Sequence, residues 1–499
     1  MGDATHPYHP VMLRRSLLAW VPAWVVAASL VACSSPTDHE SRPPAAAVVQ
    51  GLVTDEAGAP VAHAEVEVVS AGKPYRATTG SDGKYRLELD SDARDALPVR
   101  FFVGVRHDGY AADAIEVEKA ASVLDGPASD TLATGGSAGA APAEVEQFPT
   151  KTVRLRSKVT KARTLYTIEN QLTHLGDSFY NTQANSQFQL PNASGVGQSW
   201  KFELPAFDAK AWQRAKIRLF ARGIESPDTV SVNGKPTVGL GLTPEDGSAA
   251  RVSVSVPLTD LVAGSNTLTL TMVGDENGPD DVELAYLELE LDTPATVKEV
   301  VAGVCDTGAV SGLSDQLIAA FACVAADKIS SIDPGWGIVL GENAYPYLQK
   351  AALDAAWAAL LERPDTNLVL NSTLRTVAQQ YLLQESIALG GCKKAAAPGN
   401  SQHEAGLAID IQDHSGWKPA LEAHGYKWFG ASDPMHFTFQ GEGAESLGGE
   451  SVKAFQKLWN QNHPESLLTV NGTFDDATKT ALEKSPAAGF DKDLDCSVP

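Results

Sequence analysis

Ser401-Gln402-His403-Glu404-Ala405-Gly406-Leu407-Ala408-Ile409-Asp410 is the most informative stretch of this 499-residue chain. Imidazole and carboxylate are both good ligands for zinc, so His403 and Asp410 pair plausibly around a metal. Gly406 allows a tight backbone bend between them. Leu407, Ala408 and Ile409 predict a buried strand that would hold Asp410 rigidly. A second short motif follows in Asp433-Pro434-Met435-His436-Phe437. With His436 as third ligand, the protein would fill three positions and leave a fourth for water, as catalytic zinc requires.

Working outward, residues 296–442 read as an α+β segment. Apolar residues recur at helical spacing over Leu317 to Ala326 and Tyr347 to Glu362. After it, residues 447–490 predict a small helical tail. Val452, Phe455, Leu458 and Trp459 share a helix face, Asn471-Gly472 turns the chain, and Asp475 or Asp476 can cap a helix running to Glu483. Before it lie two all-β segments, 48–157 and 160–293. In the first, Val66-Glu67-Val68 and Tyr85 to Leu89 alternate, separated by Gly58-Ala59-Pro60 and Asp82-Gly83 turns. Val103 to Val105 opens a further strand, Val153 to Leu155 supplies a closing one, and Ser122 to Ala143 reads as a loop. In the second, Trp200 to Leu204, Lys216 to Ala221, Val252 to Val256, Thr267 to Met272 and Val282 to Leu291 alternate. Asn233-Gly234 is a hairpin signal, because a type I′ turn needs positive φ at both central residues. The chain therefore predicts a multidomain protein: two all-β sandwiches, an α+β domain with a metal site, and a small helical tail.

Arg14 and Arg15 precede the apolar run Leu17 to Val31, which makes residues 1–32 a secretory signal. Met12 gives a more ordinary start to it than Met1. The ending Leu30-Val31-Ala32-Cys33 resembles the lipobox of bacterial lipoproteins. That implies lipidation of Cys33, a tether over 33–47, and attachment to the membrane of the cell envelope. Ser34 lacks the Asp-type inner-membrane retention signal, which points to the outer membrane. Past residue 40 no run reaches the ~18 apolar residues needed to span a bilayer. The formal charge of −23, from 39 Lys and Arg against 62 Asp and Glu, argues against nucleic acid as a partner. Cys305, Cys323, Cys392 and Cys496 remain after Cys33; an even number in an exported chain predicts two disulfides. The pairing expected is Cys323 with Cys392 and Cys305 with Cys496.

The two metal motifs together resemble the zinc D-alanyl-D-alanine carboxypeptidases and related L-alanyl-D-glutamate endopeptidases of cell-wall metabolism. The resemblance covers about Leu368 to Phe439. It implies zinc on His403, Asp410 and His436, with Asp433 as general base three residues before the last ligand. Many members carry Glu there, so the Asp matches the endopeptidase-like branch better. Asn371-Ser372-Thr373-Leu374-Arg375-Thr376 with Gln379 resembles the family's S-x-x-R-x-x-x-Q stretch, with Thr373-Leu374 replacing the usual Gly-aromatic pair. It implies that Arg375 contacts substrate, for which a guanidinium is suited because it can grip a carboxylate bidentately. Ser401 is a candidate to hydrogen-bond substrate or a ligand, whereas His414, His424 and His463 fit no motif and read as surface groups.

Three accessory segments carry resemblances of their own. Gly51-x-Val53, Gly58-x-Pro60, Ala64-x-Val66, Thr79 and Asp82-Gly83-x-Tyr85 resemble the carboxypeptidase regulatory-like domain. Val230-x-Val232-Asn233-Gly234, Val256-Pro257-Leu258 and Leu261-x-x-Gly264-x-Asn266-x-Leu268 resemble galactose-binding-like jelly rolls, which implies a carbohydrate ligand for 160–293. Val452-x-x-Phe455-Gln456-x-Leu458, Val470-Asn471-Gly472-x-Phe474 and Thr478-x-x-Ala481-Leu482 resemble the peptidoglycan-binding helical domain. Together these imply an anchored zinc peptidase whose partner is peptidoglycan. The rival expectation is an inactive surface lipoprotein that binds glycan or protein; retention of all three ligands and the base favours the enzyme.

Overall fold

The structure is a computed structural model that describes residues 46–119, 145–148, 151–179, 188–236, 238–274, 278–333, 337–341, 343–364 and 366–496. Cys33, the signal over 1–32 and the loop expected at Ser122 to Ala143 lie outside these residues. No helix among the described residues is long and apolar enough to cross a membrane.

The first sandwich is built from β1 (Ala47–Thr54), β2 (Glu65–Ser70), β3 (Lys73–Thr78), β4 (Lys84–Leu89), α1 (Ser91–Ala96), β5 (Arg100–Arg106), β6 (Asp113–Glu118), β7 (Glu146–Gln147) and β8 (Lys151–Arg154). One sheet sets β4 antiparallel and β8 parallel to β1; the other runs β3-β2-β5-β6. Their inward alternate positions, among them Val49, Val66, Leu87, Phe101 and Val103, form one buried core. The Asp82-Gly83 turn needs its glycine: φ is +73°, and a Cβ would sit 2.5 Å from the Val53 carbonyl oxygen. As expected, residues 153–154 close the sheet beside β1.

The second sandwich comprises β9 (Arg163–Glu169), β10 (Thr173–Leu175), β11 (Gly197–Leu204), β12 (Arg214–Arg222), β13 (Thr229–Val232), β14 (Val238–Gly239), β15 (Ala250–Val256), β16 (Gly264–Thr271) and β17 (Val282–Asp292). A sheet containing β10-β17-β12-β15, with β9 on β17, faces the sheet β11-β16-β13-β14. Asn233 and Gly234 have φ of 52° and 67° and join β13 to β14, as the hairpin signal requires. One feature departs from simple alternation. Every residue of β17 is buried, its charged face included. The first sandwich covers part of that face, with Phe102, Ala112 and Ala114 against Phe220, Ala285 and Tyr286. The charges there are met by ion pairs: Arg156 with Glu288 at 2.6 Å, Arg218 with Glu290 at 2.7 Å and Arg222 with Glu283 at 2.5 Å.

The third region holds α2 (Ser311–Val324), β18 (Ile329–Ser331), β19 (Ile338–Leu340), β20 (Tyr347–Gln349), α3 (Lys350–Leu361), β21 (Leu368–Ser372), α4 (Val377–Ala388), β22 (Ala408–Ile411), α5 (His414–Ala423), β23 (Tyr426–Trp428) and β24 (His436–Phe439). Its sheet runs β19-β21-β22-β24-β23. The helix expected from Tyr347 begins only at Lys350. Tyr347 to Gln349 pair with β18, and the Gln349 amide donates to the Gly406 carbonyl, which draws these residues into an extended strand.

The tail folds as α6 (Gly448–Asn462) and α7 (Asp476–Lys484), with Asp475 as N-cap, its carboxylate accepting from the Thr478 amide. Val452, Phe455, Leu458 and Trp459 share a core with Leu313 and Leu317 of α2 and Val377 and Tyr381 of α4. The helical tail is thus packed into the α+β region. Two disulfides form, as expected in number, but neither expected pairing does: the bonds are Cys305–Cys392 and Cys323–Cys496. Gly303 lies against Leu389 and Gly391, which brings Cys305 to Cys392. Gln316 of α2 donates to the Phe490 carbonyl and Asp493, which brings the chain end to Cys323.

Candidate metal centre

Strand register builds the site. Ser372 on β21 stands opposite Asp410 on β22, and Asp410 stands opposite His436 on β24, so three strands place three polar side chains in one row. His403 comes from the turn before β22. Gly406, at φ +68°, bends the chain there as its position in the motif predicts. One ligand atom from each of His403, Asp410 and His436 lies within 4.8 Å of the others. All three expected metal ligands are therefore brought together.

Hydrogen bonding fixes which atoms face inward. The Thr373 carbonyl, which can only accept, takes the proton of His403 Nδ1 at 2.8 Å. In the neutral ring Nε2 is then a bare lone pair. It faces Asp410 Oδ2 and His436 Nδ1, each at 3.2 Å. The Nε2 of His436 meets Thr438 Oγ1 at 3.0 Å and its Nδ1 faces Asp410 Oδ1 at 2.9 Å; because a hydroxyl can donate or accept, the ring can carry its proton on either nitrogen. With the His436 proton on Nε2 the three inward atoms are all acceptors, an arrangement that a bound cation would satisfy. Burial, then the positive charge of Arg375, pushes the His403 pKa down, so a proton is disfavoured there. Burial alone would raise Asp410, but His403, His436 and Arg375 outweigh it and hold the carboxylate well below its usual range. Two imidazole nitrogens and an ionised carboxylate, each oriented by an outer partner, suit zinc. The side chain of His403 is 3% exposed, whereas those of His436 and Asp410 are 14% and 20% exposed, so the cluster opens to solvent on one side.

The other expected site residues fall around this cluster. Arg375 leaves β21 just beyond Ser372. Its guanidinium donates to Ser372 Oγ at 2.8 Å, to Gln380 Oε1 at 3.0 Å and to Asp410 Oδ2 at 3.2 Å. That geometry makes it an orienter of Asp410. Asp433 is half-buried, with its pKa raised by burial and by the charge of Asp410. Ser401 is buried, and its backbone amide donates to Glu404. His414, His424 and His463 lie outside the cluster: they stack on Trp428, pair with Glu362 and stack on Trp459 respectively.

Sequence reasoning passed over four residues here. Glu404 is fully buried, accepts from the Gly399 and Ser401 amides, and burial pushes its pKa up to about 8. Its signal was the Ser401-x-x-Glu404 spacing of a capping-box turn. Thr373 and Thr438 orient the two imidazoles. Phe429 lies edge-on to His436 at 5.4 Å; nothing in its local sequence marked it.

Solved structures resemble the chain only weakly. Catechol 1,2-dioxygenase from Pseudomonas arvilla C-1 is 13% identical over 24% of this chain and 55% of that one, with a TM-score of 0.15. A β-porphyranase of glycoside hydrolase family 86 from Bacteroides plebeius is 10% identical over 50% and 33%, with a TM-score of 0.19. An exo-β-1,3-galactanase from Phanerochaete chrysosporium is 15% identical over 48% and 56%, with a TM-score of 0.17. The chain thus spans between a third and just over half of these proteins, and at such scores no statement about it rests on them. No curated protein matches the sequence. What does match is local: residues 48–123, the body of the first sandwich, fit the carboxypeptidase regulatory-like domain family.

Proposed function

We propose that the protein is an envelope lipoprotein, anchored through Cys33, that hydrolyses D-alanyl-type or stem-peptide bonds of peptidoglycan with a zinc ion on His403, Asp410 and His436. The observation that carries this reading is the convergence of two imidazole nitrogens and a carboxylate on one partly open point. A zinc bound there would lower the pKa of water to about 7 and polarise a scissile carbonyl. The chain's own groups supply the remainder. His403 is held by Thr373 and His436 by Thr438, so both rings meet the reaction already oriented. Arg375 keeps Asp410 ionised and fixed, and its planar fork suits a substrate carboxylate or peptide oxygen. Asp433, near enough to feel the charge of Asp410, would accept a proton from attacking water and return it to the leaving amine; its raised pKa supports that role by making it a stronger base than an ordinary aspartate. The motif resemblance, from Leu368 to Phe439, points the chemistry at D-amino-acid peptides.

The test is digestion of purified muropeptides, with products read by mass spectrometry and zinc counted by elemental analysis. About one zinc per chain, and product formation that stops with chelator and returns with zinc, are expected. A chain that holds no zinc and cuts no muropeptide would be a binding lipoprotein instead.

A further inference from the structure

Beside the metal cluster stands a cation that the chain leaves without a counter-charge. Lys394 is exposed and, among the described residues, forms no ion pair. Its ammonium lies 4.0 Å from the centroid of the Phe429 ring, and that ring, 47% exposed, meets His436 edge-on at 5.4 Å. An aromatic face holds an ammonium in place while leaving its three N–H donors to other acceptors. The charge of Lys394 is felt at Asp433, so the ammonium stands near the base as well as near the ligand His436. The backbone on either side of it is tied down. Cys392 is bonded to Cys305, and the Ala396 carbonyl accepts from Gln380 Nε2 at 2.7 Å. Gln380 Oε1 in turn accepts from Arg375 at 3.0 Å, so the segment joins the network that orients Asp410. Arg375 spends donors inside the protein, on Ser372, Gln380 and Asp410, and its side chain is only 11% exposed. An anion arriving at the metal centre therefore meets a second, more open cation in Lys394.

We propose that Lys394 receives a free carboxylate of the substrate, so that the site selects acidic stem peptides over their amidated forms. The assignment rests on the peptidase reading of the metal centre and names the substrate class within it. A stem peptide can offer two such groups, its carboxy terminus and the α-carboxylate of its γ-linked glutamate. Either would meet the ammonium through the same charge-assisted hydrogen bonds, which a neutral amide cannot replace in full.

Synthetic stem peptides test the assignment: the acid, the form amidated at the glutamate α-carboxylate, the form amidated at the carboxy terminus, and the doubly amidated form. With the full-length, zinc-loaded protein, amidation at one of the two positions should lower kcat/KM about tenfold or more, chiefly through KM, as loss of a charge-assisted hydrogen bond does. The sensitive position identifies the carboxylate. Lys394→Met should lose that discrimination and Lys394→Arg should regain most of it, with zinc content at wild type in both. Calorimetric titration of the same peptides into Asp433→Ala, with and without Lys394→Met, reads the contact apart from hydrolysis. A wild type that cuts acid and amidated peptides at equal kcat/KM, or a Lys394→Met variant that keeps the preference, overturns the role of Lys394 and leaves the peptidase reading standing. A wild type that cuts none of the peptides removes the peptidase reading instead. Lys394 then stands as a carboxylate contact if calorimetry shows an acid preference that Lys394→Met abolishes, and falls if it does not.

Discussion

Two buried groups of charged side chains in this protein are built on opposite plans. On the outward face of β12 and β17, each anion stands near a cation: Arg218 faces Glu288 across the strands, Lys216 faces Glu290, and Arg222 closes on Glu283. Around Asp410, two imidazole nitrogens and a carboxylate turn toward one point, and His403 Nε2 is an acceptor there. The first cluster is paired within the chain, with Glu290 Oε1 and Asp292 Oδ2 left without a hydrogen-bond partner among the described residues. The second gathers ligand-type atoms on one partly open point, where a cation would fit. Opposite charges paired across a covered strand face serve packing, whereas two imidazoles and a carboxylate with perturbed pKa values, turned to one partly open point, mark a candidate ligand site.

The strongest way to break that contrast is to remove the metal cluster's members. His403→Ala, Asp410→Ala and His436→Ala should each abolish both zinc binding and muropeptide hydrolysis, since two protein ligands make a poorly defined site. Zinc retained by Asp410→Ala but lost by Asp433→Ala would reverse the roles given to the two aspartates. Asp433→Ala itself should keep about one zinc and lose about 10² to 10⁴-fold in turnover, the usual contribution of a general base. Asp433→Glu is expected to keep part of that activity, because it retains the carboxylate on an arm one methylene longer.

The balanced cluster should answer differently. Arg222 and Glu283 are fully buried, and removing one of them leaves the other charged and unpaired. Arg222→Met should therefore cost about 3–5 kcal/mol in denaturant unfolding, with zinc content unchanged. Replacing both, as Arg222→Met with Glu283→Leu, should recover much of the loss. A double variant no more stable than the single would mean that Glu283 matters chiefly as acceptor for the Leu190 amide, 2.7 Å away.

The metal motifs were legible in the sequence because their geometry is local. A turn glycine, a short apolar run and a dyad register place His403, Asp410 and His436 without reference to distant chain. The turns at Asp82-Gly83 and Asn233-Gly234 were legible for the same reason: positive φ selects few residue types. Features set by packing were not legible. The complete burial of β17 depends on which domain covers its charged face, and alternation does not record that. Disulfide partners depend on how α2 and α4 lie against the chain's last residues, so even spacing was no guide to them. Tyr347 to Gln349 carry helix-compatible residues, yet pairing with β18 and the Gly406 carbonyl overrode that preference.

The smallest expected effect asks how finely the metal cluster is supported from outside. Thr376 caps α4: its hydroxyl accepts from the Gln379 amide at 3.2 Å, while Gln379 Oε1 accepts from the Thr376 amide at 3.0 Å. Arg375 immediately precedes this cap and holds Asp410 from the other side. Thr376→Ala should cost about 1 kcal/mol, the ordinary value for losing a cap. The Ser314 hydroxyl, 2.9 Å from Thr376 Oγ1, would lose a buried partner as well and push the cost upward. Thr376→Ser keeps the acceptor and should restore most of the stability. Zinc content should stay at wild type in both variants, because β21, β22 and β24 set the ligand row by register, independently of the helix start. Loss of zinc in Thr376→Ala but not in Thr376→Ser would show instead that Asp410 reaches its place only when the capped helix holds Arg375.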